Sequence, residues 1–146
     1  MKIAIGSDHA GFELKEKVKE YLIKKGFEIK DFGTNSKESV DYPLFSFPVA
    51  EGVAKGEFDF GILVCFTGNG MTIAANKVKG IRAALCLNPE MAKLARQHNN
   101  ANILSLSAKF SSENFKEILE SWFNSEFEGG RHKRRVDKIK EYETRK

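Results

Sequence analysis

A cysteine lies where the sequence predicts the end of a strand and the start of a glycine-containing loop. The apolar segment 60–64 leads into Cys65, and the loop 66–70 then precedes a predicted helix over 71–76. A strand that feeds such a loop and a helix N-terminus gathers unpaired backbone N–H groups, which bind anions or a developing oxyanion. The same groups favour a thiolate at Cys65. We therefore expect a reactive centre here, although a lone cysteine is also often a small buried apolar residue.

Two further polar pairs flank predicted strands. Asp8 and His9 follow the first strand, so in a parallel sheet they are expected at the same edge as Cys65. A helix-capping aspartate beside an exposed histidine fits the local pattern equally well. His98 instead precedes a strand and is expected at the opposite edge, where it serves a neighbouring subunit or interacts with the dipole of its helix. Cys86 ends a strand without a glycine loop, which favours a structural residue.

The basic residues are concentrated at the end of the chain. The formal net charge is +4, and residues 131–146 hold eight basic and three acidic residues, so the rest of the chain is close to neutral. This distribution argues against a general nucleic-acid-binding surface. Arg131 and Arg135 are one helical turn apart and can bind a phosphate together. A solvated charged helix face explains this pair equally well.

Apolar patterning predicts alternating strands and helices along the chain. Predicted strands cover 2–6, 27–32 (an edge strand), 60–65, 82–87 and 103–106. Predicted helices cover 12–25, 43–55, 71–76 and 89–98, followed by one capped by Ser111 or Ser112 and by a basic helix after Gly129-Gly130. Pro48 should either kink the second helix or mark its true start. The pattern indicates an α/β fold with a mostly parallel sheet of about five strands and helices on both faces.

Composition excludes several classes of protein. The 146 residues suit one domain, no apolar run approaches the ~20 residues that span a bilayer, and the two cysteines form no CxxC. We therefore expect a reduced, cytoplasmic protein that binds neither membrane nor nucleic acid. No metal site is predicted, because zinc would need more cysteines and histidines at ligand spacing. No nucleotide or other cofactor is predicted, because the glycine loop is neither a Walker A motif nor a complete G-x-G-x-x-G.

The expected groups suit one reaction, which is proton abstraction next to the carbonyl of a phosphorylated small molecule. They are a thiolate base, a set of amides, histidines that move hydroxyl protons and a pair of arginines that binds an anion.

The sequence also resembles the ribose-5-phosphate isomerase type B family, which includes galactose-6-phosphate and allose-6-phosphate isomerases. The resemblance covers essentially the whole chain. Its motifs are Gly6-Ser7-Asp8-His9-Ala10-Gly11, Asp41-Tyr42-Pro43, Cys65-Phe66-Thr67-Gly68-Asn69-Gly70-Met71, Ala74-Ala75-Asn76-Lys77, Gly80-Ile81-Arg82-Ala83, Arg96-Gln97-His98-Asn99, Gly129-Gly130-Arg131-His132 and Arg135-Val136.

The resemblance implies a Rossmann-like three-layer αβα sandwich with a five-stranded parallel sheet and a C-terminal helix. It implies an isomerase domain over 1–128 and a basic helical extension over 129–146 that contacts a partner subunit. The assembly would be a homodimer, possibly a tetramer, with each active site built from both subunits. The implied reaction interconverts ribose 5-phosphate and ribulose 5-phosphate. Six-carbon sugar phosphates, or sugar-phosphate binding without catalysis, are the alternatives.

Roles for individual residues also follow from the resemblance. Cys65 is implied as the base that moves a proton between C2 and C1 through an enediolate, since Met71 occupies the position where some relatives carry a glutamate base. Phe66 stands where the family usually has glycine, which raises the question of backbone strain and of a narrower sugar pocket. Implied catalytic partners are Thr67, His98 and Asp8. Implied substrate contacts are His9, Tyr42, the Phe66, Gly68, Asn69 and Gly70 amides, Asn99, Lys109 (an arginine in some relatives), Arg131 and Arg135.

Overall fold

A five-stranded, all-parallel sheet forms the centre of the computed structural model, which describes residues 1–145. Lys146, the last residue of the predicted C-terminal extension, lies outside the described residues. The strands are β1 (Lys2–Ser7), β2 (Glu28–Asp31), β3 (Phe60–Cys65), β4 (Ala83–Leu85) and β5 (Ile103–Ser107). The helices are α1 (Phe12–Lys24), α2 (Pro43–Ala54), α3 (Asn69–Ala75), α4 (Pro89–Asn99), α5 (Phe115–Phe123) and α6 (Arg131–Glu143).

The strand order is β2-β1-β3-β5-β4, so β3 lies at the centre and β2 at an edge, as its alternating sequence predicted. In the register of the sheet, Ser7 pairs with Val64 and Cys65 pairs with Ser107. The carboxyl ends of β1, β3 and β5 therefore lie side by side. Asp8 and Cys65 meet at this carboxyl-terminal edge, as chain order predicted, and the segment after Ser107 lies beside them.

Helices cover both faces of the sheet and give two apolar cores. One core joins α1, α4 and α5 to the sheet and contains the fully buried Trp122. The other joins α2 and α3 to the opposite face and contains Met71 and Cys65. This is the predicted three-layer αβα arrangement. The alternation along β3 decides the face on which Cys65 lies, because Leu63 and Cys65 point to the second core and Ile62 and Val64 to the first.

Helix α6 packs against α4 and buries His132 and Val136. Its last turn reaches the turn that precedes β4, where the Glu143 carboxylate accepts a hydrogen bond from the Gly80 N–H at 2.7 Å. Ile139 and Tyr142, which follow Val136 at helical spacing, remain largely exposed. Within residues 1–145, every helix is too short or too polar to cross a bilayer.

Several boundaries differ from the sequence predictions. Helix α5 begins at Phe115 behind Asn114, so the prediction that Ser111 or Ser112 caps it is wrong. The Ser111 hydroxyl donates to the Cys86 carbonyl instead, and the Ser112 hydroxyl donates to the carbonyl of Ala108. Strand β4 is only three residues long, and α3 begins two residues earlier than predicted.

Helix α2 starts at Pro43, in the first-turn position where proline needs no N–H partner. It continues through Pro48 to Ala54, so Pro48 does not mark the start of the helix.

Candidate active site

Cys65 is the last residue of β3, and its exposed fraction is only 5%. The loop that follows turns back so that the backbone N–H groups of Gly68, Gly70 and Met71 lie near its sulfur and favour negative charge on it. The predicted juxtaposition of a thiol and loop amides is therefore present. Both cysteines are free thiols.

Burial raises the pKa of the Cys65 thiol above its ordinary value. The three backbone N–H groups lower this pKa and the nearby Asp8 carboxylate raises it, and burial outweighs the amides. Burial therefore opposes the ionisation of Cys65 that the loop amides favour. A thiolate formed there would be a stronger base than an ordinary one.

Two glycines give the loop its path around the sulfur. Gly68 has a φ of +92°, and a Cβ on it would lie 2.3 Å from the Leu85 Cδ1 atom. Only glycine combines that backbone conformation with that close approach. A Cβ on Gly70 would lie 2.9 Å from the ring of Tyr42, so this ring covers the loop directly. Tyr42 precedes α2 and is 41% exposed, so part of its side chain is accessible to a ligand.

The remaining polar groups of the loop stabilise its own turn. The Thr67 hydroxyl oxygen accepts a hydrogen bond from the Asn69 N–H at 3.3 Å. The Thr72 hydroxyl donates to the Gly68 carbonyl at 2.6 Å, and the Ser46 hydroxyl of α2 donates to the Met71 carbonyl at 2.8 Å. The amides that face Cys65 are thereby fixed by side chains from both α2 and α3.

Asp8 lies within electrostatic reach of Cys65 and is 8% exposed. Its carboxylate accepts a hydrogen bond from the Gly11 N–H at 2.9 Å, so it also stabilises the turn before α1. The neighbouring His9 accepts a hydrogen bond at Nδ1 from the Val40 N–H at 3.2 Å. A neutral His9 therefore carries its proton on Nε2 and can donate it to an anion.

Phe66 is 53% exposed, and its backbone φ is not positive, because Asn100 is the single non-glycine residue with positive φ among residues 1–145. The side chain in place of the family's glycine therefore introduces no left-handed backbone strain. The Lys109 ammonium lies 5.5 Å from the ring centroid of Phe66 and 5.5 Å from that of Phe110. The Phe66 carbonyl accepts hydrogen bonds from the Ser107 hydroxyl and the Lys109 N–H, which joins this loop to the end of β5.

The other four predicted site residues lie elsewhere. His98 and Asn99 end α4 before β5 begins, and Arg131 and Arg135 are exposed on the first turns of α6. The five residues of β5 separate the two strand ends by roughly 13 Å. His98 therefore lies at the amino-terminal edge of the sheet, as its position in the chain predicted, and does not meet Cys65 of the same chain.

Sequence reasoning missed the immediate neighbours of His98. Its ring stacks on that of His132, with centroids 4.2 Å apart and planes 9° apart, and the Glu128 carboxylate approaches both rings. Thirty residues separate His98 from Glu128, so local spacing could not reveal this cluster. A groove of about 790 Å³ lies nearby at the same edge, lined by Asn99, the start of β4 and the exposed face of α6.

Comparison with known proteins decides the family. The ribose/galactose isomerase family matches residues 3–139 of the chain. The chain belongs to this family. Ribose-5-phosphate isomerase B of Escherichia coli (strain K12) is 47% identical over 146 residues, which cover 99% of this chain and 98% of that protein.

Solved structures agree with this membership. The ribose-5-phosphate isomerase B of Clostridium thermocellum has a TM-score of 0.96 and 53% identity, covering 98% of this chain and 97% of that one. The enzyme of Mycoplasma genitalium, solved with bound ribulose-5-phosphate, has a TM-score of 0.95 and 47% identity, covering 99% of this chain and 97% of that one. The fold of this ribose/galactose isomerase family member is therefore preserved over nearly its whole length.

Proposed function

We propose that this protein interconverts ribose 5-phosphate and ribulose 5-phosphate through an enediolate, with Cys65 as the base. The observation that carries the proposal is the Cys65 sulfur, which is buried at the strand end and faces three backbone N–H donors beside Asp8. Proton abstraction needs a base and a means to hold negative charge, and this arrangement offers both. The relative solved with ribulose-5-phosphate supports a five-carbon substrate.

The reaction moves one proton between adjacent carbons. The Cys65 thiolate removes the proton from C2 of the open-chain aldose, and the C2–H electron pair forms the C1–C2 double bond while O1 takes the negative charge. The thiol then returns a proton to C1, and the loss of the O2 proton to O1 leaves the ketose carbonyl at C2. N–H groups of the loop 66–70 stabilise the charged intermediate, with Thr67 beside them. The reverse path uses the same groups.

Because the pKa of Cys65 is raised, the thiol has to ionise before it can remove the C2 proton. Part of that rise comes from the Asp8 carboxylate. A sugar hydroxyl that donates a hydrogen bond to Asp8 would spread its charge and ease ionisation of the thiol. Substrate binding is therefore proposed to favour the thiolate. In a separate role, Asp8 is proposed to open the sugar ring together with His98.

We propose that the site is completed by a second copy of the chain. His98, Asn99, Arg131 and Arg135 lie at the opposite edge from Cys65, so a homodimer that joins unlike edges is needed to bring them to the thiol. The basic extension 129–146 would then contact the partner. Arg131 and Arg135 would bind the phosphate, and Asn99 a sugar hydroxyl.

His9 and Lys109 would approach the phosphate from the subunit that carries Cys65. A histidine that donates from Nε2 and an ammonium held between two rings both suit an anion. Tyr42, over Gly70, is proposed to contact a sugar hydroxyl.

The deciding experiment is a turnover assay on ribose 5-phosphate, allose 6-phosphate and galactose 6-phosphate, with exchange of the C2 proton in deuterated water followed by NMR. We expect the highest kcat/KM with ribose 5-phosphate, and loss of nearly all kcat in Cys65→Ala. Cys86→Ala, which removes the other buried thiol, is the matched control and should retain turnover. Binding without C2 exchange would instead identify a sugar-phosphate sensor, and wild-type turnover in Cys65→Ala would refute the assignment of the base.

A further inference from the structure

Two of the three histidines and one glutamate converge at the amino-terminal edge of the sheet. His98 lies in the last turn of α4, His132 in the first turn of α6, and Glu128 in the connection before α6. The Glu128 N–H donates to the Gln97 carbonyl at 3.0 Å, which fixes this connection beside the end of α4. The backbone therefore keeps the three residues close together, whichever rotamers their side chains adopt.

The donor atoms are close to the separations that a bound metal ion requires. Glu128 Oε1 lies 3.5 Å from His132 Nε2 and 3.8 Å from His98 Nε2, and one donor atom from each residue lies within 4.8 Å of the others. Tetrahedral zinc with bonds of 2.0–2.1 Å holds its donors about 3.4 Å apart. No gap therefore has to close by more than roughly 1.4 Å.

The exposed members of the cluster have the freedom to make that movement. The side chains of His98 and Glu128 are 38% and 50% exposed, whereas that of His132 is 10% exposed and firmly packed. The nitrogen lone pairs of the two stacked rings lie in nearly parallel planes, so His98 has to turn out of the stack to share an ion with His132.

Metal ions bind the neutral form of imidazole, and the two rings offer two nitrogen donors. The Glu128 carboxylate compensates part of the charge of an incoming cation.

We propose that His98, Glu128 and His132 form a three-ligand site for a divalent transition metal ion, with Zn²⁺ as the ion of matching geometry. Two imidazoles and one carboxylate are a donor set that zinc accepts, whereas calcium and magnesium prefer oxygen ligands.

A consequence, which rests on the proposed function, is that a bound ion withdraws His98 from ring opening. Zn²⁺ would then inhibit the isomerase reversibly, and the ion would be an inhibitor and not a cofactor.

The site is tested by titrating the full-length protein with Co²⁺ and following its visible absorption, with Zn²⁺ as the displacing ion. We expect one tight site per chain in the wild type, and affinity weakened at least ~10-fold in Glu128→Gln and in His132→Gln. Glu126→Gln, an exposed glutamate two residues from Glu128, is the matched control and should bind as the wild type does. Because Glu128 is exposed, its variant keeps the test valid if His132→Gln fails to fold.

A Cys65→Ser variant separates this site from the thiol. Binding unchanged in Cys65→Ser, with no thiolate-to-cobalt charge-transfer band in the wild type, supports the proposal. Equal Co²⁺ affinity of the wild type, Glu128→Gln and His132→Gln would overturn it. The binding measurement requires no turnover, so its failure is distinguishable from failure of the proposed isomerase activity. Zn²⁺ that binds but leaves turnover unchanged would overturn the inhibitory consequence.

Discussion

Replacing Gly68 by alanine should be unusually costly for a single methyl group. The residue has a φ of +92°, and its new Cβ would lie 2.3 Å from Leu85 Cδ1 and 3.2 Å from the Leu106 carbonyl oxygen. A left-handed backbone costs a non-glycine residue about 1–2 kcal/mol, and overpacking a core costs about 1–3 kcal/mol. The free energy of unfolding should therefore fall by about 2–5 kcal/mol, a large share of the about 5–15 kcal/mol typical of a domain.

Two other glycines separate the contributions to this cost. Gly26, after α1, has a φ of +89° and no atom within 4 Å of its ideal Cβ, so Gly26→Ala measures the backbone cost alone. Gly70 has no positive φ, and the three atoms nearest to its ideal Cβ all belong to the ring of Tyr42, a side chain that is 41% exposed and able to move. Gly70→Ala should therefore change stability by less than about 1 kcal/mol but displace Tyr42 from the site, raising KM for the sugar phosphate.

Urea unfolding monitored by circular dichroism measures all three variants, with the m-value checked for constancy. We expect the loss of stability to be largest for Gly68→Ala, intermediate for Gly26→Ala and smallest for Gly70→Ala. If Gly68→Ala proved no more destabilising than Gly26→Ala, the close packing of the loop against Leu85 would be refuted. The explanation of how the amides are held around Cys65 would then fail with it.

Three further predictions concern single side chains. Asp8→Asn should lower the pKa of Cys65, because the carboxylate charge raises it, and iodoacetamide should then alkylate the thiol at lower pH; an unchanged pH profile would contradict this. Burial raises the pKa of Cys86 to about 12, so at alkaline pH the folded state keeps a thiol proton that the unfolded state loses. The free energy of unfolding should decline as pH rises from about 8.5 toward 12, and urea unfolding should show a shallower decline for Cys86→Ala. The same dependence of this free energy on pH in both proteins would argue against a raised Cys86 pKa. Phe66→Leu removes an aromatic face from Lys109, worth about 0.5–1 kcal/mol, and should raise KM for ribose 5-phosphate about 2–5-fold. A KM that responds to Lys109→Ala but not to Phe66→Leu would show that the ring does not position the ammonium.

The strands and the location of the thiol followed from local sequence. Chain order alone placed Asp8 and Cys65 at one edge and His98 at the other, because parallel strands share a direction. The direction of the Cys65 pKa shift did not follow from the sequence. Local sequence reveals the loop amides, which lower this pKa, but not how deeply the neighbouring strands and helices bury the sulfur.

Side-chain partners that are distant in sequence account for the other failures. Ser111 has the residue type of a helix cap, yet its hydroxyl bonds to Cys86, 25 residues away. Likewise, no spacing rule connects His98 with Glu128 and His132. Such contacts arise only when α4 and α6 pack against each other.

The separation of Cys65 and His98 across the length of β5 has a genetic consequence. In the proposed dimer, a chain that lacks the thiol and a chain that lacks the histidine are defective in different half-sites. Co-expressed Cys65→Ala and His98→Ala chains would form mixed pairs in which one composite site is intact and the other carries both lesions. Two inactive alleles would thus complement each other. A chain that carries both substitutions would instead leave each composite site without one of its two residues whenever it pairs with a wild-type chain.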